Sequence, residues 1–429
     1  MIDIDEVRKR PEEFKRRVAR KDYELDVHAL LTLDETRREL IREIESLRAE
    51  ANRIAEAGKD VTAEDKEKGK HLKKQIRVKE EELKSVEEQL RVRLADIPNP
   101  PIDEMPKGAG EDDNVVVRTW GNIPEFNFEP KDHLELGELH DIIDVKRAAK
   151  VTGTGFVYLK NEAAWLQLAL INFAFEALSN PTILKKLGDE TQKIFTPVFP
   201  PQLIKPSVYR GTGRLSPDVE EERYHLERDD IYLIGSSEHT LAPMHMGEII
   251  DETELPKRYL GYSTCFRREA GSYGKDTRGI LRVHQFDKLE MESFTVPEDS
   301  FSEHKFFVAI QEYLVQQLEI PHQVVQVCTG DTGKPNANQI DINCWIPTQK
   351  KYRETHSADY IGDYQARGLN IRVRRKDGAI EILHTNDATV LAIGRTLIAI
   401  MENFQQKDGS IQIPEVLHKY LPFTSIKRR

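Results

Sequence analysis

The sequence predicts an α+β chain: a long antiparallel helical hairpin, read as a coiled coil, followed by a larger mixed body. Three observations carry this. Two stretches near the N-terminus are nearly free of Pro and Gly and place an apolar residue every three or four positions. The cluster Ile97-Pro-Asn-Pro-Pro101 then closes them off, because proline cannot continue a helix and restricts the residue before it. Beyond it, helical and β-rich segments alternate without a regular βαβ rhythm, and one segment alternates at period two.

The first helix is predicted over residues 33–57, where Leu40, Ile44, Leu47, Ala51 and Ile54 form one seam. The second is predicted over 68–94, with Leu72, Ile76, Leu83, Val86 and Leu90 in the same rhythm and Lys79 as a polar intruder. Between them Gly58, Asp60 and Thr62 supply turn and capping chemistry. Each helix would span about 35–40 Å at 1.5 Å per residue. The other faces carry Arg37, Arg38, Arg42, Arg48, Arg53, Lys70, Lys73 and Lys74, interleaved with acids. A spacer and an arm that grips a distant partner both fit this pattern. Domains are expected at 1–101 and 102–429, with 102–125 loop-like.

Composition narrows the function. Of 429 residues, 63 are Lys or Arg and 74 Asp or Glu. The charged fraction, 32%, exceeds the ~25% usual for globular chains, as a solvated helical arm would require. The net charge of -11 excludes a histone-like protein while leaving local basic patches free to bind nucleic acid. No apolar run reaches the roughly 18 residues of a membrane span. The start, MIDIDEVRKRPEEF, lacks the apolar stretch of a secretory signal. Cys265, Cys328 and Cys344 are odd in number and form no C-x-x-C, so a reducing cytoplasm is expected.

Several nucleotide and metal frames are missing. The repeats Gly271-Ser-Tyr-Gly274-Lys275 and Gly330-Asp-Thr-Gly333-Lys334 are too short for a P-loop. Gly211-Thr-Gly213 lacks the third glycine of a dinucleotide fingerprint. His239, His245, His284, His356 and His384 show no zinc spacing, and no zinc is expected. Cys265 reads as core packing.

The chemistry concentrates between Phe266 and Glu290. Polar residues alternate with Leu281, Val283, Leu289 and Met291, which reads as two antiparallel strands joined by a long basic loop. Arg267, Glu269, Lys288 and Glu290 would then project from one face. Converging arginines bind phosphates bidentately, and Phe286 among charges could stack on a base.

The string FRREAGSYGKDTRGILRVHQFDKLE resembles motif 2 of class II aminoacyl-tRNA synthetases, in the form found in seryl-tRNA synthetases. Thr152-Gly-Thr-Gly-Phe-Val-Tyr-Leu159, leading to Thr196-Pro-Val-Phe-Pro-Pro201, is similar to the approach to motif 1, and Gly211-Thr-Gly-Arg-Leu215 also matches. His384 to Gln405 resembles motif 3. Motifs 1, 2 and 3 fall at about 163–201, 264–291 and 384–405, and an N-terminal helical arm precedes them as in that family.

The resemblance implies an antiparallel sheet flanked by helices. It implies ATP-dependent activation of L-serine, with Mg²⁺, and transfer to the 3′ end of serine tRNA. Arg267 would hold the α-phosphate and the serine carboxylate. Phe286 and Arg395 would sandwich adenine, with Arg395 also reaching the γ-phosphate, and Glu269 would sit by the base. Glu354 and Ser357 would bind the phosphates and Mg²⁺. Ser236, Glu238, Glu290, Asp387 and Thr389 would complete the serine pocket with Arg267. The arm would grip the long variable arm of the tRNA, usually across a homodimer.

The chain departs from the family pattern at named places. Ser236-Ser237-Glu238 replaces Thr-Ala-Glu, His356-Ser357-Ala358-Asp359 stands for Ser-Ser-Cys-Ser, and Asp387-Ala388-Thr389 for Asn-Gly-Ser. Gly368 replaces a frequent Arg and Asn343 a frequent Glu. A buried extra carboxylate at Asp387 would bind a cation or be protonated. Two other readings stay open on sequence: a synthetase-like enzyme serving a non-tRNA acceptor, and a catalytically inactive scaffold.

Overall fold

The computed structural model describes residues 1–56, 62–269 and 279–428. It divides into two units, Met1–Pro100 and Pro101–Arg429.

In the first unit, two short helices, Ile4–Lys9 and Pro11–Val18, precede α1 (Val27–Glu56) and α2 (Ala63–Asp96). Leu40 and Ile44 of α1 and Leu72, Val86 and Leu90 of α2 are buried, as the seam spacing requires. The ion pairs Glu43–Lys79 (2.9 Å) and Glu50–Lys68 (2.7 Å) show the two helices running antiparallel. Lys79, the polar intruder, thus bridges the helices from the edge of the seam.

Both helices are longer than the spacing predicts, at about 45 and 51 Å, because capping signals upstream of the seam fix their starts. Asp26 Oδ1 accepts from the Ala29 N–H at 2.9 Å, so α1 begins six residues early. Thr62 and Asp65 form a reciprocal capping box, so α2 begins at Ala63. The turn residues Gly58 and Asp60 lie outside the described residues. Not all of the basic face is free. The buried Asp34 carboxylate gathers Arg8 (2.8 Å), Arg37 (3.1 Å) and Arg38 (3.2 Å). Arg42, Arg48 and Lys70 pair with Glu35, Glu80 and Glu67. Arg53, Lys73 and Lys74 are exposed.

The second unit is built on an eight-stranded sheet. In chain order its strands are β1 (Val115–Trp120), β2 (Thr196–Val198), β3 (Lys257–Phe266), β4 (Gln285–Thr295), β5 (His322–Gln326), β6 (Asn338–Ile346), β7 (Lys351–Gly362) and β8 (His384–Ala392). The spatial order is β1-β5-β6-β7-β8-β4-β3-β2. Every pair is antiparallel except β2 with β3, where Thr196–Val198 runs parallel to Tyr259–Gly261. Helices α3 (Asn161–Leu178), α4 (Ser300–Gln317) and α5 (Ile393–Asn403) cover the sheet.

Strand β1 corrects the loop-like reading of 102–125. Val115-Val-Val-Arg-Thr-Trp120 is a β-branched run between Asn114 and Gly121, and it pairs with β5 through a bulge at Val117. As an edge strand it buries neither face, so it lacks the alternation that marks a half-buried strand. The period-two segment likewise begins its strand at Gln285, although Leu281 and Val283 are buried before it.

Candidate active site

Strands β3 and β4 place the first group of side chains. Their register sets Phe286 opposite Cys265, Lys288 opposite Ser263 and Glu290 opposite Gly261. Side chains two apart share a face, so Phe286, Lys288 and Glu290 line up, with Arg267 just past the end of β3. The Arg267 N–H donates to His284 O at 3.0 Å and its Nε donates to Gly235 O at 3.1 Å. Its guanidinium stands 5.3 Å from the centre of the Phe286 ring. Gly261 matters because a Cβ there would meet Leu241 at 2.7 Å and Ser237 at 3.1 Å. Its bareness lets the segment Ser236–Leu241 lie over the sheet beside Glu290.

Two bulges bring the second group onto the same face. Between β4 and β8, Leu289 pairs with Leu391 but Glu290 pairs with Thr389. Between β6 and β7, Ile342 pairs with His356, Asn343 with Glu354 and Asp341 with Ser357. Asp341 and Asn343 share a face, so the extra residue in β7 puts Glu354 and Ser357 together despite their odd spacing.

Arg267, Phe286, Lys288, Glu354 and Thr389 of these line a cavity of about 270 Å³. Arg223, Arg267, Arg282, Lys288 and Arg395 line it, against Glu222, Glu269 and Glu354. Among the described residues, five cations against three acids make a wall suited to a polyphosphate. Phe286 and Val283 add apolar surface for a base, and Gly394 and Arg395 bring in the N-terminal end of α5, which favours anions. Glu269 pairs with Arg282 at 3.1 Å. Arg395 Nη1 donates to Glu354 O at 2.8 Å and lies 3.2 Å from Glu354 Oε1. Enclosure in the wall raises the Glu354 carboxyl, while Arg395, Arg267 and Lys288 lower it by more, leaving it below its usual range.

Lys288 and Thr389 line the cavity and also reach Glu290, whose Oε2 lies 2.7 Å from Lys288 Nζ and accepts from Ser236 Oγ at 3.3 Å. Ser236, Glu238, Glu290, Ser357 and Asp387 do not line the cavity itself; the carboxylates sit behind that wall. Burial pushes Glu290 up to about 8, against the pull of Lys288. Glu238 is buried as well, yet Lys288, His239 and Arg214 hold it ionised and well below its usual range. His239 Nδ1 accepts from the Gly235 N–H at 3.1 Å, so Nε2 carries the ring proton toward Glu238 Oε1 at 3.3 Å. Among the described residues, Glu238 Oε2 has no hydrogen-bond donor. A buried ionised oxygen without a donor is a place for an ammonium.

Asp387 meets its cation inside the chain. Arg214 Nη2 donates to its two oxygens at 2.9 and 2.7 Å, and to Asp359 Oδ2 at 3.0 Å. Arg214, Arg223, Arg282 and Asp341 were given no role by sequence reasoning. Asp341 had a signal, since it alternates with Asn343 in a strand-like run. The arginines lie in loops with no periodicity to mark them. Burial, with Glu354 nearby, raises the Asp341 carboxyl well above its usual range. Among the described residues, no three His, Cys, Asp or Glu side chains form a preassembled metal-binding group.

Comparison with known proteins agrees with this architecture. The seryl-tRNA synthetase N-terminal domain matches residues 1–101, and the class II tRNA synthetase core domain (G, H, P, S and T) matches 221–404. The serine–tRNA ligase of Dictyoglomus thermophilum is 42% identical over 100% of this chain and 99% of its own. That of Acidothermus cellulolyticus is 44% identical over 98% of each. The crystal structure of seryl-tRNA synthetase from Pyrococcus horikoshii complexed with ATP superposes with a TM-score of 0.89 at 38% identity, covering 100% of both chains. That of the cytoplasmic serine–tRNA ligase from Naegleria fowleri with AMP gives 0.84 at 29% identity, covering 98% of this chain and 96% of the other. An N-terminal helical unit, a class II sheet and similarity along the whole length converge on one conclusion: the chain belongs to the seryl-tRNA synthetase family.

Proposed function

We propose that this chain joins L-serine to serine tRNA in two displacements. The serine carboxylate attacks the α-phosphorus of ATP and expels pyrophosphate. A ribose hydroxyl at the tRNA 3′ end then attacks the carbonyl of seryl-adenylate and releases AMP. Neither step needs a covalent enzyme intermediate, so the site acts by positioning and charge neutralisation.

Arg267 reaches both reactants, holding the α-phosphate and the serine carboxylate. Phe286 gives adenine a stacking face, Glu269 sits at the base, and Arg395 neutralises the outer phosphates. Glu354 and Ser357 are hard oxygen donors on one face beside the cationic wall, which fits Mg²⁺ completed by phosphates and water. The bound ion would supply further neutralisation of the phosphates. In the serine pocket, Glu238 and Glu290 hold the ammonium, and Ser236, Thr389 and Glu290 satisfy the side-chain hydroxyl. A site built on hydroxyl partners rejects amino acids that lack one. Asp387 contributes through its neighbours, since both its oxygens are engaged by Arg214.

The observation that supports the serine reading is the buried Glu238, held well below its usual range, with one oxygen lacking a donor among the described residues. The test is serine-dependent ATP–pyrophosphate exchange in Glu238→Gln, expected to raise the serine KM by about tenfold or more. A serine KM unchanged in a folded variant would remove Glu238 from the pocket.

The hairpin α1–α2 is the arm for the long variable arm of the tRNA, with the exposed Arg53, Lys73 and Lys74 as candidate phosphate contacts. We place the chain in the cytoplasm as a homodimer. Trp165, Leu168 and Phe199, in the motif 1 region, leave 52, 52 and 74% of their surface exposed, which supports a partner on that face. Sedimentation equilibrium is expected to give twice the chain mass; a monomer at micromolar concentration would contradict it.

A further inference from the structure

We infer that Arg214 is a positioning residue of the amino-acid pocket, clamping the two strands that carry the pocket hydroxyls. The inference rests on the serine-pocket reading above. Asp387 of β8 and Asp359 of β7 are direct register partners across adjacent strands. One Arg214 nitrogen donates to both carboxylates, at 2.7 to 3.0 Å, with only 14% of the side chain exposed. Two residues along the same strands, on the same face, stand Thr389 and Ser357. Thr389 Oγ1 donates to Glu290 Oε2 at 3.5 Å, and Ser357 Oγ donates to Asp359 Oδ1 at 3.3 Å. From the other side of the sheet, Gln311 Nε2 donates to the backbone oxygens of both Ser357 and Thr389, each at 2.8 Å. The pair of strands is therefore held from both faces at the level of the hydroxyls.

Arg214 is itself fixed by backbone packing. A Cβ at Gly368 would sit 2.2 Å from Gly211 O, and Gly213 has φ +75 with Tyr364 2.6 Å from where its Cβ would be. The buried Thr212 accepts from the Arg214 N–H at 3.2 Å and donates to Tyr209 O at 2.7 Å. The turn that presents the guanidinium thus has no room to move. Glu292, the register partner of Asp387 on its other strand neighbour, is fully buried, and among the described residues neither of its oxygens has a hydrogen-bond partner. Loss of Arg214 would leave three carboxyl groups side by side in the pocket floor without a cation between them. All these contacts come from the far guanidinium nitrogen, one atom beyond the reach of a lysine ammonium, so a lysine here would fall short of the two carboxylates.

The test measures serine KM and ATP KM by pyrophosphate exchange, with thermal unfolding, for Arg214→Gln, Arg214→Lys, Asp387→Asn and the double variant R214Q/D387N. Thr389→Ala marks the pocket. Arg214→Gln is expected to raise serine KM by about tenfold or more, as for residues in one ion-pair network, with ATP KM within about twofold. Arg214→Lys, which keeps the charge, decides the matter if Arg214→Gln does not fold, and a serine KM rise of at least about threefold is expected. The double variant is expected to recover part of the loss, because removing a charge together with its partner costs less than stranding the partner. Parental serine KM in the folded Arg214 variants, with Thr389→Ala raising it, would overturn the inference alone. So would serine and ATP KM rising by the same factor alongside a lower melting temperature. No change in Thr389→Ala either would overturn the pocket reading, and the inference with it.

Discussion

In the proposed mechanism Arg267 holds both reactants, so its truncation should separate fold from function. In the structure it donates to Gly235 O at 3.1 Å and stacks 5.3 Å from the Phe286 ring centre. A hydrogen bond from a charged donor and an accessible cation–π contact together contribute about 2–4 kcal/mol to the fold. Removing an electrostatic donor to the transition state costs about 3–4 kcal/mol of barrier, or about 10²–10³ in rate. Arg267→Ala should therefore melt only a few degrees lower yet lose about 10²–10³ in serine-dependent pyrophosphate exchange at 25 °C. Arg267→Lys should not restore it, because one ammonium cannot serve the phosphate and the carboxylate together. The assay is exchange at saturating ATP and serine beside a thermal melt of each variant. A folded Arg267→Ala within about threefold of the parent would refute the assignment of charge neutralisation to this side chain.

Burial pushes Glu290 up to about 8, so at pH 7 the free protein is expected to hold much of it protonated and to ionise it on meeting the serine ammonium. Serine binding should then release protons at pH 7, more weakly above pH 8, read by calorimetry in buffers of different ionisation enthalpy; heats independent of buffer, or unchanged in Glu290→Gln, would contradict this. Arg258 is buried between Glu303 (2.6 Å) and Asp189 (3.0 Å), so Arg258→Met should cost about 3–5 kcal/mol in urea unfolding by stranding two carboxylates. A loss below about 1 kcal/mol would show that these acids neutralise without it. Serine tRNA shortened in its variable arm should be charged at least tenfold less efficiently, roughly the loss of a few phosphate contacts, while exchange without tRNA stays the same. Equal charging of both tRNAs would remove the hairpin from recognition.

The hairpin was legible because two seams at spacing three and four are joined by a short stretch of turn and capping residues, and Leu40, Ile44, Leu72, Val86 and Leu90 are buried where the rhythm puts them. Its starts were not, since the caps Asp26 and Thr62–Asp65 lie before the first seam residues. Strand β1 escaped notice because an edge strand needs no alternation. In the site, Arg267, Phe286 and Glu290 were readable from one strand pair. The face shared by Glu354 and Ser357 was not, because it depends on a bulge that spacing alone would not place. Two departures from the family pattern, Asp387 and Gly368, meet around Arg214, one as its acceptor and the other clearing space for its turn. Pairings between residues 145 and 173 positions apart leave no mark in local sequence.

Serine activation by this pocket is read from ATP–pyrophosphate exchange by the purified chain, with serine, threonine, alanine, glycine and cysteine compared side by side. Serine should drive exchange, and the others at most weakly; exchange driven best by another amino acid, or by none, would show that the pocket does not serve serine.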